Sequence, residues 1–472
     1  MLRSISSCLS VIYLIACFLV NGATVVCAQV PTGATLRATP PPRLPAAPSL
    51  AGLSPSVPSE WTQDPAIKHS IAVRPEDQQR EKNRYMDIYS WQSFIALNWP
   101  VAPGSAPPSF GDDEQCHNGS KLSLYGSVPQ PNSDRFPAEG RITATNCPRW
   151  MTWHRRREVV QGFPHVASST CEDDSSVTPQ PQNRLNFTSK VAFGDLLSDT
   201  KVPAKAEVPD VALVDQHGNK VYYDIVINNG AYCYLKTLNS SGSDVDLSFL
   251  KGEDDPKTAS APRSQLVGAT ELKFAWKILD PKDNAEQFIR REVSVPITSD
   301  NRTDSTKNCD TAPDACKWRK VQVGLVGLHV VHKTKDHDAW IWSTFEHVDN
   351  DPTEREASAA PDRTYSFFGS CATCPHNSEP SQNDVLTQLT RTEEIADDTA
   401  ELNRQMQQEL KTKGSVLQYY ELIGTQYDPT NNLTSPEDTA TPKTLRNTVI
   451  EAYTKNASCI GCHRGAFTQG SC

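Results

Sequence analysis

The sequence predicts an α+β fold, in which a central antiparallel or mixed β-sheet is flanked by N-terminal and C-terminal helices and the last helix leads into a Cys-x-x-Cys-His motif. Apolar residues recur at helical spacing near residue 90 and again after residue 390. Between these regions, from about residue 210 to 348, apolar residues alternate with the period of two that is typical of strands. Strands and helices do not alternate regularly, which disfavours a parallel β-α-β sheet.

The first expected element is a helix over residues 78–99. Its aromatic and aliphatic side chains are three or four positions apart and so share one face: Tyr85, Ile88, Trp91, Ile95 and Trp99. Pro100 ends this helix, because proline has no backbone N–H and disfavours helical geometry in the residue before it.

The middle of the chain predicts strands. Residues 210–214 and 221–228 flank a turn at 216–219, where Gly218-Asn219 favours a tight hairpin. Further strands are expected over residues 272–279, 288–295, 321–332 and 340–348. The run VQVGLVGLHVV, which begins at Val321, is apolar on both strand faces and predicts a central strand covered from both sides.

The C-terminal third of the chain is helical again in its pattern. Thr390 and Glu393 form a capping-box pattern, and an apolar stripe follows it as far as Gly414. The stripe comprises Ile395, Leu402, Met406 and Leu410.

A last helix is expected to start at Thr441-Pro442, because proline is favoured in the first helical turn. Its apolar face would comprise Leu445, Val449, Ala452 and Tyr453. This helix would run into Cys459.

The N-terminus predicts export. Arg3 precedes an apolar stretch over residues 11–20, and small residues up to Ala28 complete a secretory signal over residues 1–28. The stretch is about half of the roughly 20 residues that a spanning helix needs, and no other part of the chain is long and apolar enough. Residues 14–17 also resemble a lipoprotein cleavage box that would anchor Cys17 by a lipid, but the apolar residues after Cys17 are a poor start for a mature lipoprotein. A periplasmic or secreted protein is therefore expected, ahead of an outer-membrane lipoprotein.

After the signal, the chain divides into three parts. Residues 29–62 are a Pro-rich disordered linker, residues 63–380 a loop-rich and β-rich body, and residues 381–472 a helical C-terminal region. The formal charge of −10, from 46 basic and 56 acidic residues, argues against a nucleic-acid binder. The sequence contains no P-loop, dinucleotide-binding fingerprint or serine-nucleophile elbow, and no catalytic residue is assigned.

The motif that carries chemistry is Cys459-Ile-Gly-Cys462-His463, the attachment pattern of c-type haem. Two thiols at this spacing reach the two vinyl groups on one edge of a porphyrin, and the following histidine turns its imidazole onto the iron. The sequence therefore predicts one covalent haem c, bound by Cys459, Cys462 and His463. In Cys371-Ala-Thr-Cys374-Pro-His376 the histidine is displaced by one residue, which favours a disulfide or turn staple over a variant haem or metal site.

The sequence does not determine the other axial ligand of the iron. Nine residues follow His463, and none is Met or His, so the ligand comes from upstream or is absent. His329, within the central strand, is the candidate distal ligand. A second histidine would keep the potential low, a methionine would raise it, and an open position would permit small-molecule chemistry. The other candidates are His332, His347, Met86, Met151 and Met406.

The cysteine count fits this assignment. The signal removes three of 14 cysteines, and the haem takes two of the remaining 11. The last nine allow four disulfides and one spare thiol, for which the terminal Cys472 is the natural choice. Two local pairs are expected: Cys309 with Cys316 and Cys371 with Cys374.

Six segments together resemble exported bacterial proteins described as cytochrome c family proteins. They are WQSFIALNWP (91–100), VGLVGLHVVHKT (323–334), WIWSTFEHVDN (340–350), CATCPHN (371–377), YYELIGTQYDP (419–429) and SCIGCH (458–463). The resemblance implies a haem-bearing, periplasmic protein whose haem residues are Cys459, Cys462 and His463. It implies no particular substrate.

The function predicted from these observations is an exported monohaem c-type cytochrome that binds haem covalently and transfers single electrons. Its acidic surface suits a redox partner protein with a basic surface. One alternative is a haem-dependent oxidoreductase, of the peroxidase or oxidase type, with an open distal site. Another is a disulfide-stapled binding or sensing protein in which the haem is structural.

Overall fold

The computed structural model of the chain describes 14 stretches. They are residues 75–100, 136–143, 145–155, 184–185, 213–228, 231, 269–297, 316–334, 340–359, 364–371, 374–378, 387–429, 440–454 and 456–461. The expected signal segment, the Pro-rich linker, Cys462, His463 and Cys472 lie outside the described residues. No helix within these stretches is long and apolar enough to cross a membrane.

The described residues form an antiparallel seven-stranded sheet with a few helices, which confirms the predicted α+β fold class. The sheet order is β1-β2-β3-β5-β6-β7, and β4 pairs with β5 beside this path. The strands are β1 (His154–Arg155), β2 (Val221–Ile227), β3 (Thr270–Ile278), β4 (Arg290–Pro296), β5 (Trp318–His332), β6 (Ile341–His347) and β7 (Tyr420–Gln426).

Strand β5 is the centre of the sheet. One of its edges pairs with β3 over residues 323–332, and the other pairs first with β4 over 318–324 and then with β6 over 327–332. All residues of β5 from Val323 onward are buried. The predicted central strand, covered on both faces, is confirmed.

One face of the sheet, called the helical face below, is covered by α1 (Pro75–Leu97) and α3 (Asp397–Thr412). Phe94 of α1 stacks on Phe345 of β6 with ring centroids 4.4 Å apart. Ser90 of α1 hydrogen-bonds to hydroxyls of β6 and β7, at 2.7 Å in each case. The predicted apolar faces of both helices therefore form the core on this side.

The helix α3 begins later than the capping-box pattern indicated. Its first residue is Asp397, and the hydroxyl of Thr390 donates instead to Glu354, the first residue of the short helix α2 (Glu354–Ala359). The hydroxyl thus serves a partner 36 positions away rather than a helix N-terminus. The predicted end at Gly414 is confirmed, since this glycine has φ +63°.

The opposite face of the sheet, called the segment face, is covered by the C-terminal segment, residues 440–461. Tyr223 of β2 donates its hydroxyl proton to the carbonyl of Val449, at 2.8 Å. The side chain of Gln426 on β7 accepts from the backbone N–H of Ile460, also at 2.8 Å. Backbone groups of the segment are therefore satisfied by the sheet.

The last helix expected from Thr441 does not form, and residues 441–454 run through turns instead. Asn447 explains the difference. Its side-chain oxygen accepts from the N–H groups of Val449 and Ile450, and its amide donates to the carbonyl of Phe345. These bonds replace helical hydrogen bonds and tie the turn to β6. Within the described part of the C-terminal segment, only residues 459–461 begin a helical turn.

The turn before β2 is also as predicted. Asp215 accepts from the backbone N–H groups of His217 and Asn219, and Gly218 has φ +81°.

Strand β7 had no counterpart among the predicted elements. It pairs with β6, so the region after residue 381 contributes a strand to the same sheet.

Candidate functional site

Residues 459–461 are the described part of the Cys-x-x-Cys-His sequence, and Cys459 lies over the segment face. The residue is half-buried and carries a free thiol. It packs against an apolar cluster drawn from β2, β5, β6 and the C-terminal segment. The cluster comprises Ile227, Ala231, Ala269, Val331, Trp340, Trp342, Ala440 and Ile460.

The surroundings of Cys459 keep its thiol protonated. Burial raises the pKa of this thiol, and the nearby negative charge of Glu451 raises it further, while Lys273 opposes the shift more weakly. At neutral pH, Cys459 is therefore a neutral thiol rather than a thiolate.

His329 lies on the same face of the sheet as Cys459. Residues paired directly across antiparallel strands share a face, and His329 is paired with Lys273 on β3 and Thr344 on β6. The next residue of β5 on this face is Val331, which packs in the cluster beside Cys459. The structure thus brings together two of the predicted site residues, which are 130 positions apart in the chain.

Two polar groups on this face, the Nε2 of His329 and the hydroxyl of Thr344, are buried without hydrogen bonds. His329 is 7% exposed, and its Nε2 lies 3.3 Å from Oε2 of Glu451 but forms no hydrogen bond. The neighbouring hydroxyl of Thr344 is also buried and unbonded. Two adjacent unsatisfied groups are costly in a folded protein and indicate a place suited to a ligand.

His332 lies on the other face of the sheet. Its ring stacks on Tyr89 of α1, with centroids 5.8 Å apart, and Nδ1 shares a short hydrogen bond with the Tyr89 hydroxyl. Burial lowers the pKa of His332 to about 3, so the ring is neutral. The sheet separates this histidine from Cys459, and its packing against α1 accounts for its burial.

His347 is fully engaged within the protein. Its Nε2 donates to the carbonyl of Gln287 at 3.1 Å, and its Nδ1 accepts from the N–H of Asp349 at 3.2 Å. The ring stacks on Phe288 with centroids 4.0 Å apart, and burial lowers its pKa to about 4. Both ring nitrogens are used, which leaves none for iron in this conformation.

The three methionines considered as ligands also pack away from Cys459. Met86 belongs to a cluster with Tyr89 of α1. Met151 and Met406 belong to the main core on the helical face, where the sulfur of Met151 accepts from Arg291 at 3.4 Å. Among the candidates named from the sequence, His329 alone shares a face with Cys459.

The second Cys-x-x-Cys sequence forms a disulfide. Cys371 and Cys374 are bonded to one another, with their Cα atoms 5.4 Å apart, as predicted. Nδ1 of the following His376 lies 3.2 Å from a carboxylate oxygen of Glu354. Cys147 and Cys316 each take part in a disulfide as well. Cys309, the predicted partner of Cys316, lies outside the described residues.

The sequence did not indicate three neighbours of the site, Glu451, Lys273 and Thr344. Each stands on a different element, and only strand pairing and the path of the C-terminal segment bring them beside His329. The alternation around Trp340 and Trp342 could have indicated that Trp342 shares a face with Thr344.

Among the described residues, no group of three or more His, Cys, Asp or Glu side chains is arranged to hold a metal ion. Comparisons with protein-family models, curated proteins and solved structures found no match to this chain.

Proposed function

We propose that the protein is an exported monohaem c-type cytochrome that transfers single electrons. The observation that carries the proposal is the Cys-x-x-Cys-His sequence at 459–463, whose first cysteine has a free thiol beside an apolar, tryptophan-containing cluster. Cys459 and Cys462 would hold the haem covalently, and His463 would be an axial ligand.

The chemistry of Cys459 suits covalent attachment. Cys459 and Cys462 would hold the haem by thioether bonds to its two vinyl groups. Cys459 carries the free thiol that such a bond needs, and its apolar neighbours match an apolar porphyrin. Haem iron held here would supply a ferric and a ferrous state, one electron apart.

His329 is the proposed distal ligand. It shares the sheet face of Cys459, and its Nε2 is buried and makes no hydrogen bond. Glu451, 3.3 Å from that nitrogen, would orient the ring or balance its charge. Two histidine ligands would give a low potential.

Export and partner choice belong to the same proposal. Disulfides such as Cys371–Cys374 persist in oxidising compartments, which supports a periplasmic or secreted location together with the signal pattern at residues 1–28. The net charge of −10 supports docking to a redox partner with a basic surface.

The first test is covalent haem content. The chain would be produced in a bacterium that exports and matures c-type cytochromes, then measured by pyridine haemochrome and intact mass. We expect one haem per chain, and its loss from the purified chain in Cys459→Ser, Cys462→Ser and their double variant. Cys472→Ser is the matched control and should retain haem. A wild-type chain without covalent haem would refute the proposal.

The second test addresses the distal ligand. Optical and EPR spectra of the wild type should show six-coordinate, low-spin iron that does not bind CO. His329→Ala should become high-spin and bind CO, whereas His217→Ala, at an exposed hairpin position, should not change. Unchanged spectra in His329→Ala would exclude His329 as the ligand, and a high-spin wild type would favour the oxidoreductase alternative.

A further inference from the structure

A buried cluster of charged groups lies where β6, β7 and the C-terminal segment meet. It contains three carboxyl groups, Glu346, Asp351 and Glu421, and two guanidinium groups, Arg391 and Arg446. Glu346 is fully buried. It faces the C-terminal segment, because it is paired with Gly327 of β5, and a Cβ atom added at Gly327 would meet Val449. The cluster therefore belongs to the side of the sheet that carries Cys459.

Four of these five groups have close partners. Arg391 Nη2 donates to Glu421 at 2.7 Å and to Glu346 at 3.4 Å, and the other oxygen of Glu346 accepts from the N–H of Thr448 at 2.6 Å. Arg446 donates to the carbonyls of Glu451 and Ala452 and to the hydroxyl of Thr392.

Asp351 differs from the other members of the cluster. It is 5% exposed, and neither of its carboxyl oxygens has a hydrogen-bond partner. An ionised carboxylate buried without donors would pay its desolvation cost with little return. Charge counting gives the same result, because three ionised carboxylates beside two guanidiniums leave one uncompensated negative charge, and a single proton removes it.

The electrostatic surroundings agree with this count. Burial raises the pKa of Asp351 well above its usual range, and Glu346 and Glu421 raise it further, while Arg391 and Arg446 oppose them. Burial likewise raises the pKa of Glu346. Burial opposes the charge of Arg391, but the carboxylates around it outweigh that effect and raise its pKa, so the arginine stays charged.

The cluster is connected to the proposed haem site through one turn. Arg446 holds the carbonyl of Glu451 at 3.1 Å, and the carboxylate of Glu451 lies 3.3 Å from Nε2 of His329. The charge of Glu451 also acts on Cys459. A change of charge on this side of the sheet would therefore change the electrostatic potential at Asp351, because the few side chains between them form a medium of low dielectric constant.

We propose that Asp351 is a neutral carboxylic acid at neutral pH, that it holds the cluster's one proton, and that at higher pH, where this proton leaves the oxidised protein, Asp351 takes a proton up again from water when the protein gains an electron. The second half rests on the proposed function. In balanced form, reduction would bring one electron from the redox partner to the proposed haem and one proton from water to the Asp351 carboxylate, and oxidation would release both.

The coupling has a definite sign. An added electron makes the site more negative and favours the protonated acid, so the pKa of Asp351 is higher in the reduced protein. Between the oxidised-state and reduced-state values, the midpoint potential falls as pH rises. A tenfold change in proton concentration corresponds to about 59 mV for a one-electron couple.

The redox test is potentiometry of the haem-loaded protein between pH 5 and pH 10. The wild type should show an interval in which the potential falls by up to about 59 mV per pH unit. Asp351→Asn, which is permanently neutral, should abolish or strongly reduce that slope. Glu394→Gln, which removes an exposed carboxylate outside the cluster, should keep it. A flat wild-type profile, or an unchanged slope in Asp351→Asn, would overturn the coupling.

A second measurement does not depend on the haem. Infrared spectra at pH 7 should contain the C=O band of a protonated carboxylic acid, which Asp351→Asn removes and Glu394→Gln retains. Asp351→Asn should also leave the urea midpoint at pH 7 unchanged or raised. A missing band, or strong destabilisation by Asp351→Asn, would mean that Asp351 is ionised. If the chain carried no haem, the proposed function would fail, and these readouts would still decide the state of Asp351.

Discussion

The contact between β5 and the C-terminal segment gives the sharpest stability prediction. A Cβ atom added at Gly327 would lie 2.5 Å from Cγ2 of Val449 and 3.0 Å from Oδ1 of Asn447. Such overpacking costs about 1–3 kcal/mol, because the segment must move away from the sheet. Gly327→Ala should therefore lower the free energy of unfolding by about 2 kcal/mol.

Val449→Ala removes the atom that clashes. Val449 is fully buried, so the loss of two methyl groups should by itself cost about 2 kcal/mol. In the double variant the new methyl group occupies space that the valine has left. We expect the double variant to be about 1–2 kcal/mol more stable than the sum of the single effects implies.

The assay is urea unfolding of the four proteins, followed by tryptophan fluorescence. Gly424→Ala is a matched control on the same face, since its Cβ would meet only the flexible end of Leu445, at 3.0 Å. It should combine additively with Val449→Ala. Additivity of Gly327→Ala and Val449→Ala within about 0.5 kcal/mol would refute close packing of the segment on β5.

Three further predictions concern other contacts. The pKa of His332 is about 3 in the folded protein and near 6.5 in the unfolded chain. The stability that depends on a neutral His332 is therefore complete above pH 6.5 and falls below it by roughly 1.4 kcal/mol per pH unit. Urea unfolding at pH 7.5 and 5 measures this loss, and a midpoint that stays constant or rises at pH 5 would contradict it. Asn447→Ala should cost about 2–3 kcal/mol by urea unfolding, because the carbonyl of Phe345 and the N–H of Val449 lose the Asn447 side chain as a partner. A loss below about 0.5 kcal/mol would argue against the turn. Replacing Cys371 and Cys374 by serine should lower the free energy of unfolding by only about 2 kcal/mol, since the disulfide closes a very short loop. Thermal unfolding measures this loss, and a loss above about 4 kcal/mol would mean that the bridge has a larger structural role.

The sheet separates His329 from His332, and this separation decides which of the two could reach a group bound at Cys459. His332 and His347 look equivalent to His329 in the sequence, yet one packs against α1 and the other uses both ring nitrogens. Strand alternation alone separates His329 from His332, because residues three apart in a strand point to opposite faces. The choice between the two then depends on which face the C-terminal segment covers.

Elements with strong local patterns were predictable. The aromatic stripe of α1 and the doubly apolar run of β5 needed only their own residues, since burial of an apolar face is the main contribution to such elements. The helix expected from Thr441 was wrong because the apolar spacing there is helical, while Asn447 and Arg446 bind carbonyls and N–H groups of the turn itself and of β6. Strand β7 was missed because its residues Glu421 and Gln426 are polar on a covered face, where their partners come from distant elements.

The sequence by itself determined the α+β class, the central strand and the presence of a Cys-x-x-Cys-His motif, because each depends on residues close together in the chain. Only the tertiary structure decided which histidine shares a face with Cys459, and that Glu451 and Lys273 accompany it. It also decided that Asp351 is buried without a donor beside Glu346. The physical reason is that burial and electrostatic pairing depend on distances in space, and strand register and the path of the C-terminal segment set those distances.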